Sequence, residues 1–325
     1  MKNSFILTAG YGWSGSSVIV DLLKEYDGII DSDVEFRLIK DPHGLADLRY
    51  QLTKNWDVLT VDAAIKEFMR LASCMNHSST KTTYGLGYDK KIGPNFMALT
   101  KSFIEGITSF SFQSNSWIFN LEKSRIRIVF EKILRKLHID YTEGVMNFSQ
   151  CTEEQFDNAV KKYLDSLFFS CGDKKVILDQ AISPLHPEMV PVFFDDSKML
   201  VVDRDPRDIY VNLIKGKNLI GAELSKSHDV NKYIQWHRAC RKYKEELKSF
   251  SYVKQFQFEK LVCDYEKSVK EVESFLKISD KDHVNKKKYF IPEESSKNVG
   301  IWKKYPCQEE IRTIEKELPE YIINI

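Results

Sequence analysis

Several features are missing from the 325-residue sequence, and each absence excludes a class of protein. No window approaches about 18 uncharged apolar residues, and no apolar stretch follows a basic amino-terminal region, so we expect no membrane-spanning helix and no signal peptide. The sequence also lacks an excess of charge of one sign, because 48 Lys and Arg nearly balance 47 Asp and Glu, for a formal net charge of +1. This balance gives no bulk attraction to nucleic acid or to an anionic membrane, so any anion site has to be local.

Cysteine patterns typical of disulfide frameworks and zinc sites are absent as well. The six cysteines form no CxxC and no paired Cys/His spacing; they are Cys74, Cys151, Cys171, Cys240, Cys263 and Cys307. Such scattered thiols indicate a reducing compartment, so we expect a cytoplasmic protein without a bound metal. Internal repeats, low-complexity tracts and linkers are also lacking, which predicts a single domain over residues 1–325.

The most informative stretch that is present lies near the amino terminus. A short apolar run, Phe5–Leu7, leads into a turn that contains Gly10, Gly12 and Gly15, and helical spacing of apolar residues follows over 18–23. This pattern predicts a strand, a glycine loop and a helix.

A loop of this kind directs backbone N–H groups into one concavity, with the hydroxyls of Ser14, Ser16 and Ser17 as further donors. A phosphate group is the expected ligand. The spacing from Gly10 to Ser17 is that of a Walker A loop, but Ser16 stands where the lysine belongs, which disfavours a kinase or ATPase. An ordinary strand-to-helix turn is the alternative at this point.

A second polar turn follows a later apolar strand, Met199–Val202. Asp205 as N-cap and Pro206 at the first helical position predict a helix start, which places Arg204 at the end of the strand. There a guanidinium can bind a phosphate with two parallel hydrogen bonds, and Asn212, two helical turns on, can add another. The alternative is an Arg–Asp network that only stabilises the turn.

Two further segments carry candidate site residues. Residues 295–305 form a predicted loop with Gly300, Trp302 and three lysines, a composition suited to a lid over a nucleotide. Glu35 lies toward the carboxyl end of a predicted strand over 29–38, and residues at the carboxyl ends of neighbouring parallel strands face one crevice. A solvated side chain is the alternative for Glu35.

The remaining pattern predicts a three-layer α/β/α fold with a central parallel sheet. Further strands are expected at 176–179 and 252–257, and helices at 44–52, 61–75, 95–107, 152–170 and 230–247, followed by a helix ending at Leu276. The pattern does not decide between helix and strand over 113–137. The basic residues there either meet an anionic acceptor or form a solvated face.

Taken together, these stretches resemble the nucleotide-binding signature of the sulfotransferase family. Gly12–Ser17 resembles its 5′-phosphosulfate loop, and Val202–Asp208 with Asn212 resembles its 3′-phosphate motif. Val299–Lys303 is similar to its carboxyl-terminal G-x-W-K/R loop, and Phe258–Leu261 to the "YEdL" segment upstream. The ordered set spans almost the whole chain and is closer to carbohydrate-directed, Golgi-type and bacterial members than to cytosolic small-molecule ones.

The resemblance implies transfer of a sulfuryl group from 3′-phosphoadenosine 5′-phosphosulfate, without a metal, to a hydroxyl of a carbohydrate or glycan precursor. It also implies a P-loop-like fold with a mostly helical acceptor-side insertion at about 44–170. The donor contacts that it implies are Gly12, Trp13, Ser14, Gly15, Ser16, Ser17, Arg204, Asn212, Lys297, Asn298, Val299, Gly300, Trp302 and Lys303.

Departures from the family pattern bear on catalysis. Trp13 stands where the family has Arg or Lys, Asn212 replaces a Ser, and Asp179–Gln180 replaces a lysine-containing segment. Stabilisation of the leaving group then has to come from another cation; the candidates are Lys297, Lys303, Arg37 and Lys40. A catalytically silent, nucleotide-binding scaffold is the first alternative, and a P-loop kinase is the second.

The acceptor's proton needs a base, and the family position about twenty residues beyond the first loop is occupied by Glu35. We therefore expect Glu35 to be the base, with His138, His43 and Asp179 in reserve.

Overall fold

The computed structural model describes residues 4–114, 123–139 and 144–323. The chain forms two compact units. The first unit comprises Met1–Arg37 and Phe168–Ile325, and the second unit comprises Leu38–Leu167.

The described residues contain seven strands and fifteen α-helices. The strands are β1 (Ser4–Gly10), β2 (Ile29–Asp31), β3 (Phe110–Ser114), β4 (Gly144–Phe148), β5 (Lys175–Asp179), β6 (Lys198–Asp203) and β7 (Val253–Gln257). The helices are α1 (Ser17–Leu23), α2 (Leu45–Thr53), α3 (Val58–Asn76), α4 (Tyr88–Lys91), α5 (Phe96–Ile107), α6 (Arg125–Lys136), α7 (Glu153–Leu167), α8 (Met189–Phe193), α9 (Pro206–Gly216), α10 (Gly221–Ser227), α11 (Val230–Cys240), α12 (Phe258–Cys263), α13 (Tyr265–Leu276), α14 (Pro292–Ser295) and α15 (Gln308–Glu317).

The first unit is built on a five-stranded sheet in the order β2-β5-β1-β6-β7. Every neighbouring pair is parallel, and the register pairs Thr8 with Asp179, and Gly10 with Val202. The turns that follow the strands therefore all leave from one edge of the sheet, which is where ligands of open α/β folds bind.

Both faces of this sheet are buried, because the inner strands are apolar at successive positions. On one face Ile6, Leu200 and Val202 pack with apolar residues of α1 and α13. On the other face Phe5 meets Phe194, at the end of α8, with ring centroids 5.4 Å apart. The predicted α/β fold with a central parallel sheet is confirmed.

Most predicted elements of the first unit are present, with two changes in length. The strand predicted over 29–38 is wrong beyond Asp31, because Asp33 takes a left-handed φ of 53° and the chain turns. The N–H of Phe36 then donates to the carbonyl of Asp179. The helix predicted over 230–247 ends at Cys240.

The second unit consists of helices with the antiparallel β3–β4 hairpin. The helices predicted at 44–52, 61–75, 95–107 and 152–170 are confirmed as α2, α3, α5 and α7. Thr152 and Gln155 form the expected reciprocal cap of α7. The undecided stretch 113–137 contains the end of β3 and α6, while residues 115–122 lie outside the described residues.

None of the described helices combines the length and the apolar character needed to cross a lipid bilayer. The organisation of residues 1–325 as one domain stays a prediction.

Candidate functional site

The glycine loop, residues 11–16, joins β1 to α1 through left-handed backbone. The φ angles are 74° at Gly12, 57° at Trp13 and 78° at Gly15. A Cβ on Gly15 would lie 2.5 Å from the ring of Phe258, so only glycine lets this ring pack against the loop. Loops with such φ angles turn backbone N–H groups toward one side, as an anion site requires.

The three predicted serine donors have different surroundings. Ser14 is buried, and its hydroxyl accepts from the N–H of Tyr11 at 3.1 Å, within the loop itself. The hydroxyl of Ser16 accepts from the side-chain amide of Gln180 at 3.1 Å. Ser17, the first residue of α1, is exposed. Ser14 therefore stabilises the loop from within, and Gln180 links the loop to the end of β5 by a hydrogen bond.

Trp13 packs on helix α9, since a Cβ on Gly216 would lie 2.6 Å from the indole ring. Asn212 lies one turn before Gly216, on the same face of α9, and is half-buried. Within the described residues no hydrogen bond engages the Asn212 amide. The amide is thus positioned near the glycine loop with its donors available.

Arg204 follows β6 and is 4% exposed. Its guanidinium lies 4.7 Å from the ring centroid of Phe258 and 3.8 Å from the carboxylate of Asp208, and its Nη2 donates to the carbonyl of Asn298. In the described part of the chain, its buried Nε has no hydrogen-bond partner. Burial lowers the pKa of Arg204, and an unsatisfied buried donor of this kind is costly without a ligand.

Asp208 connects the carboxyl-terminal segment, residues 296–304, to α9. Its carboxylate accepts the N–H of Gly300 at 2.8 Å and of Trp302 at 3.1 Å. Burial raises the pKa of Asp208 against the effect of Arg204. The Trp302 ring in turn lies 4.0 Å from the guanidinium carbon of Arg207.

The lysines of this segment are exposed. Lys297 pairs with Glu294 at 2.5 Å, and the Nζ of Lys303 lies 5.7 Å from the Trp302 ring centroid. Val299, with Gly300, lines a pocket of about 340 Å³. The pocket also contains three lysines, from α9 and from the segment: Lys215, Lys297 and Lys304. These cations give the pocket a positive character that suits an anion.

Glu35 lies beyond β2, at the same carboxyl-end edge of the sheet. Its side chain is exposed and forms an ion pair with Arg37 at 3.0 Å. Its neighbour Phe36 is bonded to Asp179, whose carboxylate accepts from Thr8 at 2.7 Å. Lys40, His43 and His138 belong to the second unit.

Sequence analysis missed a buried ionic group behind the glycine loop. Asp203 binds Arg241 at 2.7 Å and Lys244 at 2.6 Å, and the Arg241 guanidinium lies 4.7 Å from the ring centroid of Tyr11. Burial alone would raise the pKa of Asp203, but the two cations outweigh it and lower the pKa to about 2. Local sequence gives no signal for this group, because Arg241 stands in a basic stretch typical of a solvated face.

Glu259 is the second missed residue. It is buried at the start of α12, and its carboxylate accepts the N–H of Asp205 at 2.9 Å through one oxygen. The other oxygen has no partner among the described residues. Burial raises the pKa of Glu259 to about 7. The only sequence signal was its place in the Phe258–Leu261 segment.

We expect Glu259→Gln to stabilise the protein in a pH-dependent way. The pKa of Glu259 is about 7 in the folded protein, against an ordinary value of 4.5, so the folded state binds the proton more tightly than the unfolded state does. The stability that this proton binding contributes is fully present below pH 4.5 and is lost as the pH rises through 7. Gln cannot ionise, so the variant's advantage over wild type should grow by about 2 to 3 kcal/mol between pH 5 and pH 8. Urea unfolding at both pH values measures this, with exposed Glu266→Gln as control. An equal advantage at both pH values would contradict the buried ionisation.

One group with metal-ligating atoms occurs among residues 4–114, 123–139 and 144–323. His228, Cys307 and Glu310 bring ligand atoms within 4.8 Å of one another. The Glu310 carboxylate already accepts from Tyr210 at 2.7 Å and from Tyr305 at 2.9 Å, so hydrogen bonds account for its position.

Comparison with protein-family models finds no match, and neither does comparison with curated proteins. Solved structures do match along almost the full chain. The sulfotransferase domain of the Synechococcus PCC 7002 olefin synthase is 13% identical, with a TM-score of 0.48 and coverage of 100% of this chain and 98% of that one. Sulfotransferase STF9 from Mycobacterium avium is 11% identical, with a TM-score of 0.41 and coverage of 99% and 76%. Sulfotransferase STF1 from Mycobacterium tuberculosis H37Rv is 10% identical, with a TM-score of 0.39 and coverage of 92% and 77%.

All three are sulfotransferases, the family that the sequence motifs resemble.

Proposed function

We propose that this protein is a sulfotransferase that uses 3′-phosphoadenosine 5′-phosphosulfate as donor. The observation that carries the proposal is that the glycine loop and the carboxyl-terminal segment, distant in sequence, both contact the turn and helix that follow β6. Trp13 of the glycine loop packs on Gly216, Arg204 donates to the carbonyl of Asn298, and Asp208 accepts from Gly300. These are the segments whose motifs resemble a nucleotide-binding signature.

The residues present fit a doubly phosphorylated nucleotide. Arg204 has a buried N–H without an acceptor in the described part of the chain, and a phosphate oxygen is a strong acceptor for a guanidinium. Arg204 and Asn212 would hold the 3′-phosphate, the loop 12–17 the 5′-phosphosulfate, and the segment 297–303 would cover the nucleotide. When bound, the donor supplies the sulfuryl group, and none of these roles requires a metal.

We propose a sugar hydroxyl as acceptor and Glu35 as the residue that takes its proton. Two observations support this role for Glu35: it lies at the carboxyl-end edge of the sheet, and its carboxylate is exposed and can approach a ligand. We also place the protein in the cytosol, where its six free cysteines would stay reduced.

A catalytically silent scaffold is the second candidate, and two observations favour it. Trp13 supplies no charge where a cation would neutralise the leaving group, and Lys297 is paired with Glu294 at 2.5 Å. A P-loop kinase is disfavoured because Ser16, in the lysine position, is held by Gln180 at 3.1 Å.

Turnover of the labelled donor separates these candidates. With sulfate-labelled donor and a panel of mono- and oligosaccharides, a sulfotransferase should release adenosine 3′,5′-bisphosphate and label one or more sugars without magnesium. Binding of the bisphosphate without release or labelling in any reaction would favour the scaffold. Magnesium-dependent ATP consumption would favour the kinase.

Replacing Trp13 with arginine tests the missing cation. We expect Trp13→Arg to keep bisphosphate affinity within about threefold of wild type, because the indole packs on Gly216 from an exposed position. Calorimetric titration measures the affinity, with Trp13→Phe as the apolar control. If Trp13→Arg gains sulfuryl transfer that wild type lacks, the wild-type chain is the scaffold.

A further inference from the structure

Helix α6, Arg125–Lys136, has two faces of different character. Its inner face carries Glu131, which is buried and bound to Lys123 at 2.5 Å and to Arg127 at 3.1 Å. Ile128 and Leu134 are half-buried on the same side. The buried charge of the inner face is thus paired within the protein. The fold therefore does not require a partner over the outer face.

The outer face is an apolar stripe at helical spacing, which we call the α6 stripe. Its members are Ile126, Val129, Phe130, Ile133 and Leu137, with exposed fractions of 83%, 57%, 58%, 48% and 63%. Single exposed apolar residues are ordinary, but a contiguous stripe of five large ones marks an interaction surface.

A row of cations borders this stripe. Arg125, Lys132 and Lys136 share one side of the helix and are all exposed. Residues 123–139 contain six Lys or Arg against one Glu, and that Glu is the buried Glu131. Lys123 and Arg127 pair with Glu131, so the positive border of the α6 stripe comes from the exposed Arg125, Lys132 and Lys136, although the whole chain has a net charge of only +1.

We propose that the α6 stripe binds the surface of an anionic lipid bilayer. A helix lying in the interface inserts its apolar side chains at the acyl boundary while flanking lysines and arginines meet anionic headgroups. Charge complementarity selects this occupant over a second copy of the chain, because two copies would bring rows of like charge together. The binding is peripheral and independent of the proposed transferase activity.

Vesicle co-sedimentation of the full chain tests the proposal. Wild type should bind vesicles of phosphatidylcholine with about 30% phosphatidylserine, bind pure phosphatidylcholine at least about tenfold more weakly, and lose affinity as salt rises. Phe130→Glu should reduce binding at least about tenfold, because it puts a charge into the apolar stripe. Its matched control is Phe169→Glu, a change at an exposed phenylalanine outside α6, with an exposed fraction of 70% against 58% for Phe130.

Two double variants test the row of cations that borders the α6 stripe. Lys132→Glu with Lys136→Glu should reduce binding at least about tenfold, whereas Lys90→Glu with Lys101→Glu, at exposed positions of the same unit, should change it less than about twofold. Circular dichroism of each variant verifies the fold.

Four results would overturn the proposal. Wild type could fail to bind anionic vesicles, or Phe130→Glu and Phe169→Glu could bind alike. Light scattering could instead show a wild-type dimer that Phe130→Glu dissociates, which would assign the stripe to a second copy. Tight binding of an acidic amphipathic peptide without vesicle binding would assign it to a protein partner.

Discussion

Replacing Arg204 with alanine is expected to weaken the binding of adenosine 3′,5′-bisphosphate by about 2 to 4 kcal/mol, because a desolvated charged hydrogen bond is among the stronger single contacts. Arg204 is buried between Phe258 and Asp208, and its Nε has no acceptor within the described ranges. The 3′-phosphate would provide one. Isothermal titration calorimetry measures the loss as a rise in Kd of about 30- to 1,000-fold.

The matched control is Arg312→Ala, at an exposed position of α15 in the same unit. It should leave Kd within about twofold of wild type, since a surface arginine contributes little. Arg204→Lys separates charge from geometry, because an ammonium keeps the charge but lacks the planar fork. Unchanged affinity in Arg204→Ala, with the control also unchanged, would remove Arg204 from the site.

The second large effect is expected at Glu35. A hydroxyl near neutral pH is a poor nucleophile, so loss of a positioned carboxylate should lower turnover by about 10²- to 10⁴-fold. Glu35→Gln keeps the shape and polarity of the side chain, and the site of Arg204 and Asn212 is formed by other elements. Donor and bisphosphate affinity should therefore stay near wild type while kcat falls, which steady-state kinetics and calorimetry measure separately.

Glu266→Gln, an exposed change on α13, is the control for the loss of one surface carboxylate. Until an acceptor is found, hydrolysis of the donor to the bisphosphate can report on turnover. If Glu35→Gln retains wild-type turnover with a true acceptor while His138→Ala loses it, the base is His138 instead.

Local patterns predicted the sheet and its polar turns well. The run Met199–Val202 is buried on both faces, and Asp205 caps α9 through a bond to the N–H of Arg207 at 2.9 Å. Both features depend on residues within a few positions of one another, so sequence spacing is sufficient to predict them.

Element ends that depend on distant partners were not predictable in this way. The chain turns after Asp31 where Phe36 reaches Asp179, more than 140 residues away. Helix α11 ends at Cys240, and the next residue, Arg241, binds the buried Asp203. Neither partner is visible in the local pattern of apolar and polar residues.

In the candidate site, too, local motifs were predictable and contacts with distant residues were not. Sequence motifs selected Arg204, Asn212 and the segment 297–303, but not the bond from Gly300 to Asp208 that holds the segment. By sequence, Ser14 is as good a candidate donor as Ser16 and Ser17, but in the structure its hydroxyl is occupied within the loop by the N–H of Tyr11. Glu259 acquires its raised pKa only from burial in the folded protein.

The central claim is that the glycine loop, Arg204 and the carboxyl-terminal segment form one site for a doubly phosphorylated nucleotide. Calorimetric titration of wild type with adenosine 3′,5′-bisphosphate in the presence of EDTA tests it most directly, with ATP and magnesium as comparison. We predict a single site with a Kd of about 1 to 10 μM for the bisphosphate, at least about tenfold tighter than that for ATP with magnesium. No binding of the bisphosphate, or binding of ATP that is tighter and requires magnesium, would contradict the claim.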